Sequence, residues 1–300
     1  MALPADGETL TADRIPRTGP VTVPSEQETG LLSRRSPALA SAALVAAVAT
    51  ALPATAAERG LPDLRMVQDG GAVSPYEART GRCPEGMRPV GGGFDLAKGH
   101  SVAATVPVAG EGWQVKARSD TGATGTFDMT WYAMCATPPP GYEIVKRTET
   151  AVPNGQARSV TCPTGKDMVA TGAEAKGPGA ELNASYIFFA NSAQVYYSVA
   201  SGTSHSADTV DLDVYAVCTD HDPTVWSTRL GEGDFDNGDG PTRTCPDGGK
   251  VVSGGFNLAT TTSHVTSSRP RATGDGDWKF TGADPNRAQY YLISGLVCAE

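Results

Sequence analysis

The sequence has no cysteine before Cys83, and none of its six cysteines forms a Cys-x-x-Cys pair. This spacing excludes zinc-ribbon and thioredoxin-like sites, which need two cysteines close together in the chain. Positive charge is also scarce, since 24 Lys and Arg against 33 Asp and Glu give a formal net charge of -9. The chain lacks the basic surface that nucleic acids and anionic lipids require, so we expect neither as a partner.

Helical periodicity and catalytic motifs are missing as well. No stretch beyond the N-terminal segment has apolar residues at helical spacing, and 35 Gly and 22 Pro favour turns. There is no Gly-x-Ser-x-Gly elbow and no His-Glu-x-x-His helix. No acidic or nucleophilic partner recurs with the histidines, which we expect in solvated loops: His100, His205, His221 and His264. We therefore predict no enzymatic activity and no cofactor.

The first 57 residues have the pattern of an export signal. Arg34 and Arg35 precede an apolar run at 38–52, which ends in Pro53-Ala54-Thr55-Ala56. The run is too short to span a bilayer comfortably, which favours cleavage near Ala57 and no stable membrane association. The arginine pair favours twin-arginine export, whereas the lack of hydrophobic residues directly after it favours the general secretory route. We expect an extracellular protein, in the medium or at the cell wall.

The rest of the chain contains three copies of one unit, aligned on the opening cysteines Cys83, Cys162 and Cys245. Each is followed by Pro at the next position, by Gly three positions later, by Val seven positions later and by Gly ten positions later. Each copy closes with a second cysteine. Matches at fixed offsets in three copies indicate an internal repeat. We place β repeat 1 at 64–137, β repeat 2 at 142–220 and β repeat 3 at 224–300.

Several features of the repeat predict β structure. Cys-Pro-x-Gly is typical of a β-turn with Pro second and Gly fourth. The segment Val90–Phe94 and its counterparts predict a short strand whose glycines mark a bulge or a close backbone approach. In the closing strand of repeat 1, alternate residues up to Cys135 face a core and Tyr132 faces outward. Strands beginning at Trp113, Val195 and Trp278 are predicted to correspond.

An even number of well-separated cysteines in an exported chain indicates a disulfide framework. Six cysteines allow fifteen pairings, and repetition favours the one that treats every unit alike. The predicted disulfides are Cys83–Cys135, Cys162–Cys218 and Cys245–Cys298. With about five strands in each unit, the fold class is all-β. The three disulfide-closed units are arranged either as a β-prism around a pseudo-threefold axis or as three small domains in a row.

The pattern resembles repeats of secreted actinobacterial proteins over roughly residues 64–300. The resemblance is carried by Cys-Pro-x-Gly, a Val-Gly-Gly-Gly-like strand, a Trp strand and the closing Tyr132-Ala133-Met134-Cys135 and Tyr215-Ala216-Val217-Cys218. It implies a compartment and a repeat unit and no activity. Repeat 3 departs from the pattern with Gly295-Leu296-Val297-Cys298, and repeat 2 lacks two of the glycines and the Trp.

Two groups of residues are candidate sites. Trp226, Tyr132 and Tyr215 are the aromatic side chains that we expect to contact a ligand, because Trp113, Trp131 and Trp278 lie on strands predicted to pack in the core. Asp234, Asp236 and Asp239 lie in a Gly-rich segment and could supply oxygen ligands to Ca²⁺. Their spacing does not fit an EF-hand, and an acidic surface turn is the alternative.

The expected function is that of a secreted, non-catalytic binding or structural protein. Its acidic composition favours a neutral or cationic partner, such as a glycan or a protein surface. A secreted hydrolase and an inhibitor of another secreted protein are the alternatives. A convergent acid–base pair in one cleft would favour the hydrolase, and a protruding loop on one unit would favour the inhibitor. Equivalent sites on all three units would favour a multivalent binder.

Overall fold

Almost all of the chain that the structure describes is β-strand. The computed structural model describes residues 61, 63–190, 195–221, 226–271 and 276–299. Within these residues the one short helical element is a 3-10 turn at Pro246–Gly248, so the all-β prediction is confirmed. No helix among them is long and apolar enough to cross a membrane. The predicted export signal at 1–57 lies outside the described residues.

Each repeat forms six strands in the same order. Repeat 1 has β1 (Arg65–Val73), β2 (Arg79–Arg82), β3 (Arg88–Leu96), β4 (His100–Val108), β5 (Gly112–Ser119) and β6 (Phe127–Ala136). Repeat 2 has β7 (Glu143–Pro153), β8 (Arg158–Thr161), β9 (Lys166–Lys176), β10 (Ala180–Ala190), β11 (Val195–Ser204) and β12 (Thr209–Asp220). Repeat 3 has β13 (Trp226–Asp236), β14 (Thr242–Thr244), β15 (Lys250–Leu258), β16 (His264–Pro270), β17 (Asp277–Ala283) and β18 (Gln289–Ala299). The sequence predicts about five strands in each repeat instead of six, partly because β2, β8 and β14 are too short to show alternation.

Three six-stranded sheets join the repeats in a ring. Their orders within the described residues are β1-β6-β3-β16-β17-β14, β2-β5-β4-β9-β12-β7 and β13-β18-β15-β10-β11-β8. Every sheet takes three strands from each of two repeats, so that β3 meets β16, β4 meets β9 and β10 meets β15. This pairing removes three pairs of unprotected sheet edges, which would be costly in isolated domains. The arrangement is therefore β-prism-like, and the row of small domains is wrong.

Each repeat has two three-stranded halves that pack on each other, and a disulfide joins them. The disulfides are Cys83–Cys135, Cys162–Cys218 and Cys245–Cys298, as predicted. The closing cysteines are fully buried because they lie on the core face of β6, β12 and β18.

The Cys-Pro-x-Gly turn begins one residue later than predicted. The carbonyl oxygen of the proline accepts a hydrogen bond from the amide three residues on, as from Met87 to Pro84 at 3.0 Å. The glycine is therefore the third residue of the turn. Its φ is 81° at Gly86, 85° at Gly165 and 77° at Gly248, a conformation that glycine adopts without steric cost.

Two glycines of β3 lie close to the backbone of repeat 3, in line with the predicted close backbone approach, and a third meets a tryptophan. A Cβ on Gly91 would overlap the carbonyl of Val252, and one on Gly93 would overlap the carbonyl of Ser268. A Cβ on Gly92 would instead overlap the indole of Trp113. Gly254 and Trp278 repeat this contact in repeat 3.

Repeat 2 replaces both members of this glycine–tryptophan contact. The strand register pairs Gly81 with Trp113, Val160 with Ser198 and Arg243 with Trp278, two residues before each opening cysteine. Ser198 therefore occupies the tryptophan position, and the alignment on Val195 was wrong by three residues. Thr171 occupies the position of Gly92, and its hydroxyl makes a hydrogen bond with the hydroxyl of Ser198.

Candidate functional site

The candidate site lies where the first residues of β4, β10 and β16 meet. These three strands, one from each repeat, contact one another. Strand pairing between neighbouring repeats shows that Ala104, Ala184 and Ser267 occupy equivalent positions in the three repeats. Three residues earlier in each strand stand Ser101, Glu181 and His264. The repeat thus places three chemically different side chains at one equivalent position near the pseudo-threefold axis.

Glu181 is the centre of a buried polar network between repeats 1 and 2. Its Oε2 accepts hydrogen bonds from Ser101 Oγ at 2.5 Å and from Arg118 at 2.7 Å, and its Oε1 lies 2.9 Å from His205 Nε2. The side chains of Arg118 and Glu181 are only 6% and 2% exposed, whereas that of His205 is 48% exposed. A buried carboxylate is tolerated here because every one of these contacts satisfies its charge. We call Ser101, Arg118, Asp120, Glu181, His205 and His264 the axial cluster.

The network shifts the pKa values of its two acid–base groups in opposite directions. Burial raises the pKa of Glu181, but the hydrogen bonds from His205 and Ser101 and the charge of Arg118 outweigh burial and lower it. The hydrogen bond that His205 donates to Glu181 raises the pKa of His205 above its ordinary value, against burial and the charge of Arg118. Relative to the same groups free in water, the contact therefore favours an ionised Glu181 and a protonated His205.

The third repeat reaches the cluster through His264. Its Nε2 lies 3.1 Å from Asp120 Oδ2, and its side chain is 9% exposed. Both carboxylate oxygens of Asp120 are buried, and neither makes a hydrogen bond to a described residue, so the contact with His264 is an ion-pair distance only. The prediction of a solvated His264 is wrong, because the ring lies at the junction of the repeats. In the strand register, His264 corresponds to Ser101 and not to the neighbouring His100.

A groove of about 610 Å³ opens beside the axial cluster, and we call it the axial groove. Arg118 and His205 lie on its lining, together with Tyr76, the Ser119–Thr124 segment and Ser206. The lining is rich in hydroxyl and charged groups, with one aromatic ring at its edge. A pocket with a few convergent polar groups is the usual form of a small-ligand site.

Tyr76 has a backbone conformation that is unusual for tyrosine. Its φ is 61°, and its equivalents in repeats 2 and 3 are Gly155 and Gly238, with φ of 75° and 85°. All three donate their amide to matching carbonyls, from Tyr76 to Ala117 at 2.7 Å and from Gly155 to Gly202 at 2.9 Å, for example. A bulky residue in the left-handed region costs free energy, and such strain clusters at functional sites. In this conformation the Tyr76 ring lies at the groove and is 39% exposed.

Ser101, the hydroxyl group of the axial cluster, is not placed as an activated nucleophile. Ser101 Oγ donates to the carboxylate of Glu181, so it does not donate to a histidine as a catalytic serine would. No protein-family model matches the chain, and no curated protein matches it either. The groove can offer hydrogen bonds, one buried cation and an aromatic edge, which are the elements of a recognition site.

Tyr132 and Tyr215, two of the three aromatic residues predicted to contact a ligand, do not line this groove. Tyr132 is 4% exposed, because Arg269 and Asp95 of the adjoining strands cover it. Tyr215 is half-buried, with the ammonium of Lys146 at 5.3 Å from its ring centre. Little of the Tyr132 ring is therefore open to a ligand. The side chain of Trp226 lies outside the described part of the structure. Trp113, Trp131 and Trp278 are buried, which confirms the core prediction.

The predicted calcium ligands are not brought together. Asp234 and Asp236 lie in β13, and Asp239 follows the next turn. Asp236 accepts a hydrogen bond from Gln289 at 3.0 Å, and Asp239 accepts one from Lys279 at 3.1 Å. Among the described residues, no three His, Cys, Asp or Glu side chains are placed to hold a metal ion.

We expect the His205–Glu181 contact to make stability depend on pH. Because the pKa of His205 is raised, its contribution is present at lower pH and is lost as pH rises through the folded-state pKa. Because the pKa of Glu181 is lowered, its contribution is lost as pH falls through that value. Urea unfolding at a series of pH values should therefore show the largest loss of unfolding free energy in His205→Gln, relative to wild type, between the folded-state pKa values of Glu181 and His205. In a Glu181→Gln background the same substitution should lose this pH dependence, and an unchanged profile would contradict the assignment.

Proposed function

We propose that the protein is secreted and acts by binding, without catalysis, through the axial groove. The observation that supports this most is that Arg118, Glu181 and His205 pair with one another, while Tyr76 and hydroxyl groups line the groove. Three disulfides are typical of an oxidising, extracellular setting and agree with the export pattern at 1–57. The net charge of -9 favours a neutral or cationic ligand, either a glycan or a protein surface.

A secreted hydrolase is the second candidate, because one contact in the groove favours it. His205 and Glu181 form an acid–base pair 2.9 Å apart at the groove. The opposing argument is that the imidazole faces the buried carboxylate instead of a nucleophile. Turnover of glycoside, ester or peptide substrates that disappears in His205→Gln would replace the binding proposal with the hydrolase.

The direct test of the binding site is Tyr76→Gly. Glycine relieves the left-handed strain, which offsets the lost contacts of the ring, so the free energy of unfolding should change by less than about 1 kcal/mol. Binding of mature protein to its strongest ligand on a glycan and polysaccharide array should weaken by roughly tenfold or more.

Ala151→Gly is the matched control. Ala151 also has a positive φ of 52°, but it is an exposed residue of β7 outside the groove. Its substitution should leave binding unchanged. Equal losses of binding in Tyr76→Gly and Ala151→Gly would show that the change of backbone strain, and not the loss of a groove contact, weakens binding. That result would contradict the proposed site.

A further inference from the structure

The β10–β11 hairpin of repeat 2 extends further than the β4–β5 hairpin of repeat 1. Its strands pair as far as Ala190 and Val195, whereas β4 and β5 stop at Val108 and Gly112. Since Ser198 corresponds to Trp113, the pair Phe188–Tyr197 corresponds to Val108–Gly112. The next pair, Phe189–Tyr196, has no counterpart in the described residues of repeats 1 and 3. Within the described part of the chain, this aromatic pair is therefore found in repeat 2 alone.

This extension forms one wall of a second groove, of about 620 Å³. The ring centres of Phe189 and Tyr196 are 4.7 Å apart. The groove is also lined by the Cys162–Gly165 turn and by Lys166, Asp167 and His221. An aromatic wall and a polar wall thus enclose the same space.

The polar wall has defined hydrogen-bonding geometry. His221 Nδ1 lies 2.8 Å from Asp167 Oδ1, and the side chain of His221 is 58% exposed. Lys166 Nζ is held by Glu143 at 3.0 Å and by the carbonyl of Gly141. Asp167 and Glu143 outnumber the single lysine, so the groove favours an uncharged ligand over an anion.

The two walls match the chemistry of a pyranose ring. It has an apolar face of C–H groups, which packs on aromatic rings, and a belt of hydroxyls that donate to carboxylates and exchange hydrogen bonds with imidazole. We propose that this groove binds a pyranose unit of an uncharged glycan, with Phe189 and Tyr196 packing against the sugar and Asp167 and His221 contacting its hydroxyls. The inference rests on the proposed binding function and adds a second site with a stated ligand class.

The test is titration of mature protein with cellohexaose, chitohexaose, mannohexaose and xylohexaose, each to about 10 mM, followed by aromatic NMR signals. At least one sugar should bind saturably and shift the Phe189 and Tyr196 resonances. Tyr196→Ala and His221→Ala should each weaken that binding by roughly tenfold. His221 is exposed, so its variant keeps the test valid if Tyr196→Ala folds poorly.

Phe188→Ala supplies the matched control. Phe188 is 45% exposed and precedes Phe189, so it points to the opposite face of the same hairpin. Its substitution should change the affinity by less than about twofold. Equal losses in Phe188→Ala and Tyr196→Ala would overturn the inference.

The remaining outcomes separate this inference from the proposed function. Sugar binding that survives Tyr196→Ala and His221→Ala but is lost in Tyr76→Gly would overturn the second site and support the axial groove. No saturable binding of any of the four sugars would overturn the inference alone. Capture of a secreted protein that is lost in Tyr196→Ala, without sugar binding, would replace the glycan with a protein partner.

Discussion

Arg118→Met is expected to lower the free energy of unfolding by about 3–5 kcal/mol. The substitution leaves Glu181, which is 2% exposed, without its buried cationic partner. Ser101 and His205 still contact the carboxylate, so the loss should lie toward the lower end of this range. Urea unfolding of mature protein measures it.

Two further variants show whether the loss comes from an unpaired charge. Arg118→Met combined with Glu181→Gln should be more stable than Arg118→Met alone, because a neutral amide costs less to bury than an unpaired carboxylate. Lys116→Met is the control on the same strand. It breaks a salt bridge of 2.6 Å to Glu174 in which the lysine is 26% exposed, and it should cost less than about 1 kcal/mol. Similar losses for Arg118 and Lys116 would mean that the axial cluster has no special role in joining the repeats.

Trp113→Ser is expected to destabilise the protein by about 3–5 kcal/mol, since it removes a fully buried indole. It also removes the donor that hydrogen bonds to Thr105 Oγ1 at 2.8 Å. Gly92→Thr alone should also destabilise, because its side chain would overlap that indole. The two substitutions together recreate the Thr171–Ser198 combination of repeat 2.

The double variant should therefore be more stable than Trp113→Ser by about 1 kcal/mol, from the new hydroxyl–hydroxyl hydrogen bond and the smaller cavity. Thermal or urea unfolding of the four proteins in this cycle gives the coupling free energy. Gly71→Thr is the control for replacing a strand glycine, because a Cβ there meets no atom within 4 Å. If the double variant lost as much stability as the two single variants together, the hydroxyl–hydroxyl hydrogen bond would not replace the glycine–tryptophan contact.

Much of the fold could be predicted from local patterns that recur. The period of Cys83, Cys162 and Cys245 predicts three units and their disulfides, and the alternation in β6 predicts which side chains enter the core. Tyr132 shows where this reasoning ends. Alternation places it on the outer face, but Arg269 and Asp95 at the seam between repeats cover that face. A pattern within one strand carries no information about what packs on it from another repeat.

The candidate site could not be predicted in the same way. Ser101 stands 18 residues after its opening cysteine, whereas Glu181 and His264 stand 19 residues after theirs. Alignment on the cysteines therefore pairs the wrong residues, and the three differ in chemistry, so no shared motif reveals them. Tyr76 had a weaker signal, since its two equivalents are glycines, but their equivalence appears only in the hydrogen bonds to Ala117, Gly202 and Gly282.

By itself the sequence determines the repeat, the strand class, the disulfide partners and the acidic charge, because each depends on composition, on residues close in the chain or on a recurring pattern. The choice of a closed ring over a row depends on which strand edges meet, as β3 with β16, β4 with β9 and β10 with β15. The same long-range pairing brings Arg118 of repeat 1 to Glu181 of repeat 2 and His264 of repeat 3 to Asp120. Such contacts join residues far apart in the chain, so only the tertiary structure decides them.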